Sequence, residues 1–231
     1  MNASSITKSG MTAMKISTVT VVIATAALLV GCNTVDRSRS LANPVVSAIA
    51  IAQQVCSNCH GIDGNAESPN FTNLAAQQEA YLVAQLNGFK SHGRSDPAGF
   101  EYMWGLSKHL TDEQIAGLAA YYARQSPKRT WQNQRDASTN ADGKSIFEQG
   151  ITASGVPACA TCHGADAQGM AAFPRLAGQH SDYVVKQLMV FQRTDARPEG
   201  SVMKGIAHAL TRQNMEAVAS YLEALPKQQV R

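Results

Sequence analysis

Aromatic and ionic side chains are both sparse, with 6% of the 231 residues Phe, Trp or Tyr and 16% Asp, Glu, Lys or Arg. A large aromatic core and a strongly ionic surface are thereby excluded. There is no basic stripe with interleaved aromatics, so the formal charge of +3 is no sign of nucleic-acid binding. Neither a glycine-rich nucleotide loop nor a quinone-pocket motif occurs. Cysteine is scarce too, and five cysteines are an odd number that makes no simple disulfide framework. Four fall in two short stretches, Cys56 with Cys59 and Cys159 with Cys162, while Cys32 stands apart and needs a separate role.

The N-terminus supplies one. Lys8 and Lys15 precede the apolar run STVTVVIATAALLV, which leads into Gly31 and Cys32, the order of a charged region, an apolar region and a processing site. The run is shorter than the roughly 20 residues of a membrane-spanning helix. Residues 1–31 therefore read as a signal peptide. Leu29, Val30, Gly31 and Cys32 resemble the lipobox of bacterial lipoproteins, which implies export to the periplasm and a lipid on Cys32; cleavage elsewhere and an uncleaved anchor are the competing readings. Asn33 in place of Asp after the cysteine favours the outer membrane by the rule of that family. Processing at Cys32 removes two lysines and leaves 18 basic against 17 acidic residues, a nearly neutral chain.

The chain contains an internal repeat. VCSNCHGIDG from Val55 matches ACATCHGADA from Ala158, and FTNLAAQQEAYLVAQLNGF from Phe71 matches FPRLAGQHSDYVVKQLMVF from Phe173 without a gap. Further on, MWGLSKHLTDEQIAGLAAYY from Met103 lies over MKGIAHALTRQNMEAVASYL from Met203. A unit repeated at such a period is one structural module made twice. The expected organisation is a tether over 32–44, domain one over 45–126, a polar linker over 127–140 and domain two over 141–231. Domain one carries 4 basic and 7 acidic residues, domain two 9 and 8, an asymmetry that would orient docking partners.

Both modules read as helical, so the fold class is all-α. Residues 45–60 form a first helix ending in the Cys-x-x-Cys-His, and AYLVAQLNGF and DYVVKQLMVF place apolar residues at spacings of three and four. Thr111 with Gln114 is a capping box opening the last helix of copy one, whose Ile115, Leu118, Ala119 and Tyr122 are expected inside. Thr211 opens the equivalent helix of copy two with a weaker cap. Small modules of under about 90 residues are marginal on burial alone, and an apolar, covalently held cofactor would complete each interior.

Cys-x-x-Cys-His sets two thiols a helical turn apart, placed to add to the vinyl groups of one porphyrin, with the adjoining imidazole able to reach the iron. A thioredoxin-like pair would not call for the histidine in both copies, and zinc ribbons space their cysteine pairs by about 15 to 20 residues. Cys56, Cys59 and His60, and Cys159, Cys162 and His163, are therefore the expected attachment sites of two haem c groups. A sixth ligand decides whether an iron binds small molecules or only changes oxidation state. Of the eight methionines, Met1, Met11 and Met14 lie in the leader, Met170 is too near His163 to cross the haem, and Met189 and Met215 read as core. Met103 and Met203 recur at equivalent positions ahead of the last helix and are assigned as axial ligands. The remaining histidines, His92, His109, His180 and His208, do not recur and read as surface or partly buried structural residues.

With its two haem motifs, paired methionines, LAGQ segment, Tyr-x-x-x-Gln-Leu and Leu-Thr before the last helix, the chain from 45 to 226 resembles the two-haem c4-type cytochromes c. That resemblance implies two class I cytochrome c domains packed face to face in the periplasm, carrying single electrons from a quinol-oxidising complex or dehydrogenase to an acceptor such as a terminal oxidase. It also implies that Pro174, and Thr72 in its place in copy one, present a carbonyl to the haem histidine. Thr72 and Ala76 depart from the family's proline and glycine, and Cys32 adds a membrane tether. The alternatives are an electron-accepting subunit of a sulfide- or alcohol-oxidising dehydrogenase, or a dihaem peroxidase, which needs an open iron and is opposed by the two methionines. No catalytic residue is expected.

Overall fold

The computed structural model describes residues 40–97, 99–128 and 137–225. The signal segment 1–31, Cys32, the start of the 32–44 tether and most of the 127–140 linker lie outside the described residues. Among those described, β pairing is confined to two isolated bridges, Ile151 with Val156 and Met170 with Phe173; the rest is helix and turn.

In copy one, α1 (Ala48–Ile51), a π-helical turn (Ala52–Cys56) and α2 (Ser57–His60) run on without a break into the Cys-x-x-Cys-His. The Ser47 hydroxyl accepts from the Ala50 amide at 3.2 Å and starts the helix, satisfying one of its orphan donors. Then come α3 (Glu79–Lys90), a second π turn (Gly99–Met103), α4 (Trp104–Ser107) and α5 (Asp112–Ala123). Copy two has α6 (Ala137–Gln149), a 3-10 turn (Thr152–Ser154), α7 (Ala160–His163), α8 (Ser181–Arg193), a second 3-10 turn (Pro198–Gly200), α9 (Ser201–His208) and α10 (Arg212–Ala224).

Helix α6 starts at Ala137, inside the stretch read as linker and ahead of the domain start expected at 141. Its Ser, Thr, Asn and Asp are weak helix formers, so tertiary contact holds it. Gly143 lets α6 approach α10 so closely that a Cβ there would lie 2.1 Å from the Ala217 carbonyl oxygen. Copy one solves the same crossing from the opposite helix, where a Cβ on Gly117 of α5 would lie 2.6 Å from the Ala48 Cβ of α1.

The two last helices are capped alike. In α5 the Thr111 hydroxyl accepts from the Gln114 amide at 3.1 Å while the Gln114 carboxamide accepts from the Thr111 amide at 3.0 Å. The cap on α10, expected to be weaker, is a complete box in which Asn214 does the work of Gln114. Ile115, Leu118, Ala119 and Tyr122 are buried as their spacing requires, together with Ile51, Ala52 and Leu82. Copy two has a separate core around Phe147, Met215, Val218 and Leu222. Burying each large apolar side chain is worth about 1.5–3 kcal/mol.

The modules meet across a pseudo-two-fold interface. The carboxamide of Gln179 accepts from the Asn73 amide at 2.9 Å and donates to the Asn73 carbonyl at 3.0 Å. Gln77 does the same to Arg175, at 2.6 and 3.0 Å. Gln78 donates to the Gln168 carbonyl at 2.8 Å, and His180 to the Ala66 carbonyl at 2.9 Å. Fully buried at this boundary, His180 is not the surface or partly buried histidine its lack of a repeat partner suggested.

Behind these bonds lies a buried ionic cluster. Arg94 grips Asp96 through Nε and Nη2 at 2.8 and 3.2 Å, Arg197 reaches Glu199 at 3.0 Å, and both guanidiniums bond Gln85 Oε1, at 2.6 and 2.9 Å. Each stacks over a phenylalanine of its own copy, Arg94 on Phe89 and Arg197 on Phe191 at 4.4 and 4.6 Å. Burial alone would raise the Asp96 carboxyl, but the hydrogen bond and charge of Arg94, aided by Arg197, hold it below the usual carboxylate range.

Candidate haem-binding sites

Each Cys-x-x-Cys-His is built on a helix end whose last residue is the histidine, followed by a glycine at positive φ, Gly61 at 75° and Gly164 at 81°. That conformation is open to glycine at little cost and turns the chain sharply away. In copy two an extra loop carrying the Ile151–Val156 bridge separates α6 from the motif, whereas in copy one the first helix runs straight into it.

The four cysteines are half-buried and none is in a disulfide. Burial pushes Cys56 and Cys159 each up to about 11, so at neutral pH they are protonated, unlike the depressed thiols of disulfide oxidoreductases. Among the described residues no three His, Cys, Asp or Glu side chains converge as ligands of one metal ion.

The two motif histidines share one arrangement. His60 Nδ1 lies 2.9 Å from the Thr72 carbonyl oxygen and His163 Nδ1 3.0 Å from that of Pro174. A carbonyl only accepts, so Nδ1 carries the proton and Nε2 keeps its lone pair. Burial holds both imidazoles below their ordinary value, opposed in part by these same bonds, and keeps them neutral. Fixing the outer nitrogen in this way orients a metal-binding imidazole and raises its basicity. Thr72 supplies the bond as well as Pro174 does, because the acceptor is backbone.

Phe71 packs edge-on to His60, its centroid 6.2 Å away, and reaches Tyr102 at 6.5 Å; Phe173 repeats the contact on His163 at 6.2 Å. Tyr102 brings the chain beside Met103 to the aromatic group around His60. Met103 closes the second π turn, next to Trp104, whose indole N–H donates to the Arg94 carbonyl at 2.7 Å. Met203 lies in α9 and packs against the core of copy two. Met215 is buried core and Met189 packs on it, as expected, and Met170 is half exposed. Ile62, Tyr102, Phe173 and Val202 are large apolar residues left exposed next to these motif, aromatic and methionine positions. Thiols a turn apart, a lone pair held on Nε2 and an apolar rim together fit a porphyrin.

Sequence reasoning missed Gln77, Gln179 and His180 as interface residues. The signal available was the Gln of LAAQ and LAGQ recurring in both copies, but a recurrence does not say which partner it faces.

Each half is a class I c-type cytochrome domain, and the chain is an all-α, two-haem electron-transfer cytochrome. The cytochrome c family model matches residues 47–124 and again 140–226. Cytochrome c4 of Pseudomonas aeruginosa is 38% identical over 175 residues, 74% of this chain and 84% of that one. The crystal structure of reduced recombinant cytochrome c4 from Pseudomonas stutzeri superposes with a TM-score of 0.69 at 34% identity, covering 78% of this chain and all of the other. A thiosulfate dehydrogenase electron acceptor of Thiomonas intermedia is 31% identical over 176 residues, 74% of this chain and 78% of that one. The chain belongs to the cytochrome c family and, within it, to the dihaem c4 type; Cys56 with Cys59 and Cys159 with Cys162 belong to its two haem c motifs.

Proposed function

We propose that the protein is a periplasmic, membrane-tethered relay that carries single electrons from a quinol-oxidising complex or dehydrogenase to an acceptor such as a terminal oxidase. Domain one (45–126) holds one haem through Cys56 and Cys59, with His60 and Met103 as axial ligands. Domain two (141–231 by sequence, with helix α6 extending it to 137) holds the other through Cys159 and Cys162, with His163 and Met203. Bound haem supplies a one-electron ferric/ferrous couple. The protein supplies the imidazole orientation, the apolar surround and a thioether that closes the second face, which raises the potential and keeps small molecules off the iron. The matched histidine-to-carbonyl bonds in both halves carry this reading. Tethering rests on the lipobox-like stretch ending at Cys32, and Asn33 in place of Asp after it favours the outer membrane. No helix among the described residues is long and apolar enough to cross a membrane.

Similarity to the Thiomonas thiosulfate dehydrogenase electron acceptor supports a second reading, an electron-accepting partner of a dehydrogenase. The nearly neutral mature chain and its lack of a basic aromatic stripe give no support to a nucleic-acid partner. A peroxidase needs an open iron and is disfavoured by Met103 and Met203.

Replacing Met103 or Met203 with alanine tests the ligand assignment. Each change is expected to abolish the weak sulfur-to-iron absorption band of one oxidised haem and to lower that haem's potential. Unchanged spectra and voltammetry would refute it. Mass spectrometry of the mature chain reads the haem count and the lipid on Cys32 together, and mixing with reduced thiosulfate dehydrogenase separates the two partner readings.

A further inference from the structure

The carbonyl that receives His60 and the amide of Asn73 belong to one peptide unit, and so do the Pro174 carbonyl and the Arg175 amide. Each of these units is held at both ends. At its oxygen it takes the proton of its own domain's histidine, at 2.9 and 3.0 Å. At its nitrogen it donates to a glutamine of the other domain, Asn73 to Gln179 Oε1 at 2.9 Å and Arg175 to Gln77 Oε1 at 2.6 Å. All four interface residues are buried. Their carboxamide orientation is unambiguous, because each glutamine also donates through Nε2 to the carbonyl of the residue whose amide it accepts from.

We infer that Gln77 and Gln179 are crossed tuning residues: each sets the strength of the hydrogen bond to the axial histidine of the domain it does not belong to. The inference rests on His60 and His163 being iron ligands. Hydrogen bonds in a chain polarise one another, strengthening each by about 10–30%. When the amide donates to the glutamine, electron density moves onto the carbonyl oxygen and draws the Nδ1 proton harder. The imidazole becomes a stronger donor to the iron and the ferric state is favoured. Each domain thereby adjusts the other's iron, and loosening of the interface raises both potentials. Because the Gln77 bond is the shorter, domain two feels the larger effect. Gln179 differs also in donating to the Thr72 hydroxyl at 2.9 Å, a contact Pro174 cannot offer Gln77.

The test uses the intact dihaem protein, with Gln179→Leu, Gln77→Leu, Gln179→Glu and, as a control, Gln78→Leu, which breaks a cross-domain bond that touches neither histidine's peptide. Two readouts are taken: the Nδ1–H resonances of His60 and His163 in the ferrous protein, and the two midpoint potentials. Gln179→Leu is expected to move the His60 proton upfield, to leave His163 in place, and to raise the ferrous-to-ferric ratio of the domain-one haem about twofold at fixed potential. By the 59 mV per tenfold of a one-electron couple, that is about 18 mV. Gln77→Leu is expected to move His163 and the domain-two haem in the same direction and further, its bond being the shorter. Gln179→Glu keeps the side chain's size and strengthens the acceptor, so its shifts run the other way and remain readable if the leucine variants fold poorly. Shifts confined to the glutamine's own domain, equal shifts in both domains, or equal shifts from Gln78→Leu overturn the inference. A parent protein lacking Nδ1–H signals from two iron-bound histidines would instead overturn the ligand assignment on which it rests.

Discussion

Asp96 is the fully buried counter-charge of the domain interface, and its replacement by asparagine exposes what the cluster is worth. Arg94 and Arg197 are 4% and 6% exposed and converge on one oxygen of Gln85, so two like charges sit together out of water. Asp96 has no accessible side-chain surface, whereas the other acid, Glu199, keeps 27% of its side chain in solvent and is correspondingly screened. Asp96→Asn keeps an oxygen near Arg94 Nε but removes the charge. Breaking a buried pair by neutralising one partner costs about 3–5 kcal/mol, much of it the isolated charge left behind. Urea unfolding at pH 7, followed by far-ultraviolet circular dichroism and by haem absorbance, should show a loss in that range. The acid limb gives the sharper check. The folded Asp96 carboxyl lies below its ordinary value of 3.8, so its contribution is complete above that value and drains away as pH falls through the folded one. The parent and Asp96→Asn curves must therefore converge in acid, where both proteins carry a neutral side chain at 96. A difference that is under about 1 kcal/mol at pH 7, or that stays constant down to pH 2, would refute the reasoning.

Ala76 holds φ at 53° where copy two has Gly178 at 72°, and an L-residue in that region is strained by roughly 1–2 kcal/mol. After the chain entropy that glycine loses, Ala76→Gly should stabilise by about 0.5–1 kcal/mol and Gly178→Ala should destabilise by at least as much, read from urea midpoints; the opposite signs would refute the assignment. The helix crossings offer a matched pair: Gly143→Ala drives a methyl into the Ala217 carbonyl and Gly117→Ala into the Ala48 methyl. Both should cost about 1–3 kcal/mol or more. Ala48→Gly should restore most of the loss from Gly117→Ala, whereas Ala217→Gly should not rescue Gly143→Ala, because there the obstacle is backbone; a double-mutant cycle measures the difference.

Local sequence order determined a good deal of this molecule. Two Cys-x-x-Cys-His stretches, a gap-free repeat, apolar spacing at Ile115, Leu118, Ala119 and Tyr122, and Thr111 ahead of Gln114 are each read within a turn or two of helix, where chemistry depends on neighbours along the chain. They set the helical class, the duplication and the haem count, while the proposal of Met103 and Met203 as ligands rests on their recurrence. What escaped depends on contacts between residues far apart. The first four residues of helix α6, 137–140, look like linker because its polar residues favour helix only once Gly143 lies on Ala217, and the Asn214 cap looks weak until its side chain is seen bonding Thr211. His180 is one of four unremarkable histidines until Ala66 of the other domain is placed against it. Glutamine at 77 and 179 is neutral to every local rule, and only the docking of two modules, which aligns each carboxamide with a peptide a hundred residues away, decides that it faces the back of the other module's histidine bond.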